Sequence, residues 1–331
     1  RCYRDAMGWN LCLHVRRGEV LRTVPRGNEA VNECWLSGRG RYSHQGRYSE
    51  DRAVKPLRKV NGEWKEVSWA EGLAAAAEIL KAHQGDHLGV LVHPSTSNEE
   101  GALLARLAKG LGSNNIDHRI NNRDFSDAAT AEVFGLPLAE IEGADRIVIL
   151  GSNIRHELPL LHARLRKAQT TNGAKIHVVN PVDFDFAFSI AGKQIVAPSK
   201  FVDALANEEL RSAVQGGTNT VLIVGGIAEN HPQAAAIRAA ARDFAAATGA
   251  RLCRIPQGAN AVGLTRAGVL PAGKDVATML AQPRQAYVVY GLEPGLDFAD
   301  APAARKALVG AKVVAFSQFA CVSTRDVADV I

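Results

Sequence analysis

From about residue 86 onward, short apolar runs alternate with amphipathic stretches of helical period, and this pattern admits little except a parallel β-sheet covered by helices. The runs predict strands at 87–92, 146–150, 175–179, 220–224, 251–254, 286–290 and 312–316. They are apolar throughout rather than alternating, as strands buried on both faces must be. Helices are expected near 69–83, 97–110, 157–170, 232–248, 273–281 and 301–309. Ser68 with Glu71 has the spacing of a capping box, and Ser97 opens the second helix in the same manner. Residues 181–216 lack a clear period, which places a break near 200–218. The expected fold class is α/β: doubly wound, mostly parallel sheets in two halves.

The first 60 residues read differently. Runs at 11–15 and 17–24 predict a hairpin turning at Gly18, and a strand falls within 63–69. The expected domains are therefore a small β-rich subdomain over 1–60, a first α/β lobe over 61–200 and a second over 201–331. Charge follows the same division. Residues 1–60 carry 13 Lys and Arg against 6 Asp and Glu, although the whole chain nets only +5. A basic N-terminal segment suits an acidic partner or neighbouring domain. Nucleic acid is not expected, because no recognised binding module accompanies the charge and aromatic residues are only 6% of the chain.

The N-terminal segment also carries the outline of an iron–sulfur motif, C-x2-C-x3-C-x27-C. Laid from Cys2, its other positions fall on Asp5, Trp9 and Ser37. A [4Fe–4S] cluster takes four thiolates. One cysteine with an aspartate, an indole and a hydroxyl does not supply them. Cys2, Cys12 and Cys34 read instead as small structural side chains. Five cysteines in 331 residues do not make a disulfide scaffold, and a reducing compartment is expected.

The text around those positions resembles the G-subunit family of bacterial NADH–quinone oxidoreductase (respiratory complex I). The matching stretches are Gly8-Trp9-Asn10, residues 24–36 (VPRGNEAVNECWL), Arg39-Gly40-Arg41-Tyr42-Ser43 and Asn115-Ile116-Asp117-His118-Arg119. Gly151-Ser152-Asn153 with Pro159 and Leu160, and the terminal Ala328-Asp329-Val330, also agree. The resemblance implies a molybdopterin-oxidoreductase-like fold. It implies an oxidoreductase subunit in a complex that passes electrons from NADH through flavin and iron–sulfur clusters to quinone. Partners would be the other peripheral-arm subunits and the family's N-terminal iron–sulfur region, which carries [2Fe–2S] and [4Fe–4S] clusters. The implied location is cytoplasmic, peripheral to the inner membrane and without membrane insertion. The first residue is not Met and 327–331 end in mid-pattern, so the chain reads as a piece of a longer polypeptide.

Whether the piece itself does chemistry turns on a second position. In molybdopterin enzymes such as formate dehydrogenases, a Cys or selenocysteine on the metal soon follows the stretch matching Asn114-Asn115-Ile116-Asp117. Aligned without gaps, that position is Arg123, a donor-only cation that cannot ligate a metal. Asp124 would serve only after a one-residue slip, with a hard carboxylate in place of a soft ligand. Gly151-Ser152-Asn153 and Gly225-Gly226 each follow a strand, where an open α/β sheet binds nucleotides, but neither is G-x-G-x-x-G. Both read as tight strand-to-helix turns. His83 and His87 are separated by Gly85-Asp86, which breaks the helix a zinc pair would need, and His156 and His162 have no Cys or carboxylate cluster beside them. No G-x-S-x-G elbow is present. No catalytic, cofactor-binding or metal residue is assigned, and no cofactor is expected in this piece. The expected role is a cofactor-free structural domain of the G subunit; the alternative is an active molybdopterin-dependent, formate dehydrogenase-like oxidoreductase.

Overall fold

The computed structural model describes Cys2, Tyr3 and residues 5–331. In chain order the strands are β1 (Leu11–Arg16), β2 (Glu19–Pro25), β3 (Leu57–Val60), β4 (Glu63–Glu66), β5 (Leu88–Val92), β6 (Ile116–Asp117) and β7 (Arg146–Leu150). They continue as β8 (Lys175–Asn180), β9 (Gly192–Ile195), β10 (Thr220–Val224), β11 (Arg251–Arg254), β12 (Ala286–Tyr290) and β13 (Lys312–Phe316). These group into two compact units, one of residues 1–44 with 122–259, the other of 45–121 with 260–331.

The first unit is built on a five-stranded parallel sheet ordered β11-β10-β7-β8-β9. Side chains of period two divide between its faces. Ile147, Ile149, Ile176, Val221 and Ile223 pack on one side with Leu161 and Leu165 of the helix Pro159–Asn172. Val148, Leu150, Leu222 and Val224 pack on the other with Phe201, Ile237, Ala241 and Phe244 from the helices Phe201–Ala206 and Ala234–Thr248. This two-sided cover is why the central strands β7 and β10 are apolar at every position but their first. Each such side chain contributes roughly 1.5–3 kcal/mol on full burial. The antiparallel hairpin β1–β2 belongs to the same unit and turns through Arg17 and Gly18, both at positive φ.

The second unit holds a parallel sheet ordered β13-β12-β5-β6. Leu88, Val90, Val288 and Val314 form its core with Leu80 of the helix Trp69–Ala82 and Leu104 of the helix Asn98–Gly110. Both helices begin in capping boxes, Ser68 with Glu71 and Ser97 with Glu100. Hairpin β3–β4 turns through Asn61 and Gly62, again both at positive φ. This is the pairing that a type I′ turn requires and that Asn-Gly best supplies.

The doubly wound α/β architecture with a small antiparallel hairpin at the N-terminus is as expected; the contiguous boundaries at 60 and 200 are not. Residues 1–60 divide at 44/45, because β3 bonds to the end of the chain, Leu57 and Ile331 exchanging N–H···O bonds of 2.8 and 2.9 Å. Residues 201–331 divide as well, because β10 pairs with β7, Val221 opposite Ile147. The stretch expected to be an irregular break instead carries β9, the helix Phe201–Ala206 and the helix Glu208–Val214, which return the chain from one edge of the sheet to β10.

Candidate functional site: a side-chain-filled crevice and cluster frame

Numbered 1 to 5 in chain order from β7 to β11, the strands of the first unit's sheet lie in the order 3-2-1-4-5 when read from the β9 edge, so the direction of winding reverses between β7 and β10. Outside the carboxyl ends of those strands an open α/β sheet forms its ligand crevice. The two turns there are Gly151-Ser152-Asn153 and Gly225-Gly226. Gly151 has φ +60°, and a Cβ on it would lie 2.8 Å from Ala228, so only glycine permits the approach. Asn180, closing β8, clamps Ser152 reciprocally: its Oδ1 accepts from the Ser152 N–H at 2.8 Å and its Nδ2 donates to the Ser152 carbonyl at 3.1 Å.

Glu157 lies in this crevice. Pro159 has no N–H and disfavours helical backbone in the residue before it. The chain therefore breaks at Leu158, and Glu157 ends a separate short turn, Ile154–Glu157. Its Oε1 accepts from the Gly226 N–H at 2.9 Å, and its other oxygen accepts from the Ser152 hydroxyl. A Cβ on Gly225 or Gly226 would fall 2.9 or 3.0 Å from these oxygens. Loss of solvent pushes the Glu157 carboxyl above the ordinary carboxylate range, against the Ser152 and Gly226 hydrogen bonds and the Arg39 charge. Arg39 also donates to the carbonyls of His156 and Glu157, at 2.7 and 2.8 Å.

Arg39 comes from the N-terminal module, where the four positions of the cysteine frame are all buried. Cys2, Trp9 and Leu36 form one small apolar cluster, with Met7, Leu11, Val31, Leu138 and Leu160 packed against it. Trp9 is 0% exposed. Asp5 is buried and accepts from the Met7 N–H at 2.8 Å. Burial raises its carboxyl to about 7, although the Met7 N–H, the neighbouring Trp9 indole and the Arg39 charge pull the other way. Ser37 caps the short helix Gly38–Tyr42, its Oγ accepting from the Gly40 N–H at 3.2 Å.

Residues 122–133 are fixed by a chain of charges. Asp127 makes a two-bond pair with Arg238 at 2.8 and 2.6 Å, and Arg238 reaches Glu229 at 3.2 Å. Glu229 binds Arg254 at 2.7 and 2.9 Å, and Arg254 reaches Glu132 at 3.3 Å. Arg238 and Glu229 are buried, so removing one member would strand a charge away from water. Asp124 is held by the Ser126 hydroxyl and N–H and by the Ala235 N–H. Burial raises its carboxyl, but these bonds outweigh that and hold it below its usual range.

Residues 52–331 match the family model "Molybdopterin oxidoreductase". The chain belongs to the molybdopterin oxidoreductase family. Residues 3–45 match the "NADH-ubiquinone oxidoreductase NDSU1/NuoG-like, 4Fe-4S domain". Similar proteins include the NADH-ubiquinone oxidoreductase 75 kDa subunit of Reclinomonas americana, 32% identical over 54% of this chain and 28% of that protein. The NADH dehydrogenase [ubiquinone] iron-sulfur protein 1 of Solanum tuberosum is 29% identical over 67% of this chain and 30% of its own length. The G subunit of the Rickettsia felis NADH-quinone oxidoreductase is 31% identical over 52% and 26%. The chain thus spans under a third of these relatives. Acetylene hydratase from Pelobacter acetylenicus shares the fold, with a TM-score of 0.62 at 14% identity, covering all of this chain and 62% of that one.

The residues of this molybdopterin-oxidoreductase-family chain do not fit the groups its family models imply. The frame presents one thiol, one carboxyl, one hydroxyl and a tryptophan fully buried beside the thiol, which is not a [4Fe–4S] donor set. Among the described residues no group of three or more His, Cys, Asp or Glu is placed to hold a metal ion. Arg123 stands where the metal-bound residue of the family is expected, and Asp124 is already committed to backbone and Ser126. The histidines do not assemble either. His83 Nδ1 bonds to the Ile79 carbonyl, and His87 ends a separate 3-10 turn, Gly85–His87. His162 is buried against Phe188, accepts from the Ala187 N–H at 3.2 Å and is depressed to about 4, first by burial. The residues that the sequence does not announce are Glu157, Asn180 and the ion chain. A polar Asn closing the apolar run of β8 is one available signal; the rest depends on which strands become neighbours.

Proposed function

We propose that this chain is a cofactor-free structural lobe of the G subunit of an NADH–quinone oxidoreductase, built on a molybdopterin-oxidoreductase scaffold. The single observation that carries the reading is Trp9, fully buried beside Cys2 where a thiolate would have to stand. The relatives named as NADH–quinone and NADH–ubiquinone oxidoreductase subunits supply the setting: a complex that moves electrons from NADH to quinone, with the redox centres outside this chain. The lobe would pack against other peripheral-arm subunits and the family's iron–sulfur region, on the cytoplasmic side and peripheral to the inner membrane. In keeping with that, no helix among the described residues is long and apolar enough to cross a membrane.

The docking face would be the basic N-terminal module. Arg16, Arg17, Arg22, Arg26, Arg39 and Arg41 are exposed there, but Arg39 also donates to the His156 and Glu157 carbonyls of the same unit. Arg41 is therefore the cleaner probe of assembly. Elemental analysis of the purified chain tests the reading itself. Iron and molybdenum far below one equivalent are expected; a stoichiometric amount of either would make the chain a redox carrier or a molybdopterin enzyme.

A further inference from the structure

We infer that Glu157 is an internal replacement for an anionic ligand: its carboxylate takes the donors a phosphate group would use in the β7/β10 crevice, so the crevice is closed to nucleotides. The inference rests on the cofactor-free reading and deepens it by assigning the closure to one side chain. Three features of the crevice carry it. First, the place is the one where winding reverses and where this class of sheet leaves room for a ligand. Second, the glycines that let a ligand approach backbone closely are present, but the atoms approaching Gly225 and Gly226 belong to Glu157 and its neighbours. Third, the carboxylate is received as an anion would be, by a backbone N–H and a hydroxyl, with the Arg39 charge acting on it.

The surroundings hold the carboxylate in this position. Asn180 fixes the Ser152 that donates to it. Arg39 fixes the backbone it hangs from, bonding both carbonyls at the end of its turn. Gln257, tied to Asn230 and to the Ile255 carbonyl, lies beside Gly226 and also hydrogen-bonds the Glu157 carboxyl. A dinucleotide or pterin nucleotide would have to displace a side chain held from three directions.

Pyrophosphate and GDP are the probes, applied to the chain as it stands and to Glu157→Ala and Glu157→Gln. Binding is read by titration calorimetry and by the thermal midpoint. The unaltered chain is expected to take up neither probe at millimolar concentration. Glu157→Ala, which frees the Gly226 N–H and the Ser152 hydroxyl, is expected to bind pyrophosphate at least tenfold more tightly, with a raised midpoint. Glu157→Gln keeps its amide oxygen as acceptor for the Gly226 N–H, turns its NH2 to donate to the Ser152 hydroxyl, and is expected to stay closed. Uptake of either probe by the unaltered chain overturns the inference, as does Glu157→Ala binding no better than it. If Glu157→Ala folds poorly, its folded yield with and without pyrophosphate replaces the midpoint. A yield indifferent to the anion again overturns the inference. Metal content of the same samples separates the two claims: a metal-free chain that binds pyrophosphate loses only the closure by Glu157.

Discussion

Trp9 and Glu157 lie in the same unit, one buried at the N-terminal cysteine frame and the other in the crevice at the carboxyl ends of β7 and β10, and they occupy these places with opposite chemistry. The N-terminal frame is closed by apolar bulk: Trp9 packs with Cys2 and Leu36 and has no charge to satisfy. The β7/β10 crevice is closed by a carboxylate that must be given donors by Ser152 and Gly226. Hydrophobic filling depends on volume and is indifferent to pH. Charged filling preserves the polar geometry of the site but carries a desolvation cost that grows as the group ionises. On the cofactor-free reading proposed above, the frame would have lost the shape of a ligand site, whereas the crevice would have kept it.

Truncating Trp9 should produce the largest effect. Trp9→Ala leaves a cavity in a closed cluster and should cost about 3–5 kcal/mol of unfolding free energy, measured by urea denaturation at pH 5, below the range in which the buried Asp5 ionises. A cost of about 1 kcal/mol or less would show that the module does not depend on this packing.

Asp5 brings pH into this otherwise apolar module. Its carboxyl is raised by burial from the ordinary 3.8 to about 7, so the folded chain binds its proton more tightly than the unfolded one. Stability from this group is full at low pH and is lost as pH rises from about 4 to about 7, by up to roughly 4 kcal/mol. Asp5→Asn should remove that slope and leave the chain more stable at pH 8, as read from denaturation midpoints across the range. A steeper slope in the variant would contradict the assignment.

Glu157→Gln sharpens the other half of the comparison. The Glu157 carboxyl is also raised, chiefly by burial, so its ionisation costs stability above the ordinary carboxylate range. The amide fills the same space without the charge, its oxygen accepting from the Gly226 N–H and its NH2 donating to the Ser152 hydroxyl, and the variant should gain stability at neutral pH but not at pH 4, in the same denaturation assay. The smallest effect expected is at Ser37→Ala, which removes one N-cap acceptor from a five-residue helix and should cost about 1 kcal/mol.

Much of the scaffold is legible in the sequence, because period and capping are local. The strands at 146–150, 220–224, 251–254, 286–290 and 312–316 are where the apolar runs place them. The helices after Ser68 and Ser97 begin where the capping boxes do. What escapes depends on pairings between distant segments. β9, Gly-Lys-Gln-Ile at a sheet edge, has no apolar run to announce it. The division of 1–60 turns on Leu57 meeting Ile331. The cysteine frame can be read as degenerate from residue identity alone, but that Trp9 is fully buried beside Cys2 cannot. Glu157 carries no signal, since its meaning comes from β10 lying beside β7 and bringing Gly226 to its carboxylate.

Anaerobic reconstitution with iron and sulfide tests the central claim most directly. The unaltered chain, supplied with an excess of both and then desalted, should show no absorbance band in the visible range typical of iron–sulfur clusters and retain no iron. A stable band in that region with about four irons per chain, the content of one [4Fe–4S] cluster, would mean that the N-terminal module still builds a cluster around the buried Trp9, and the cofactor-free reading would be wrong.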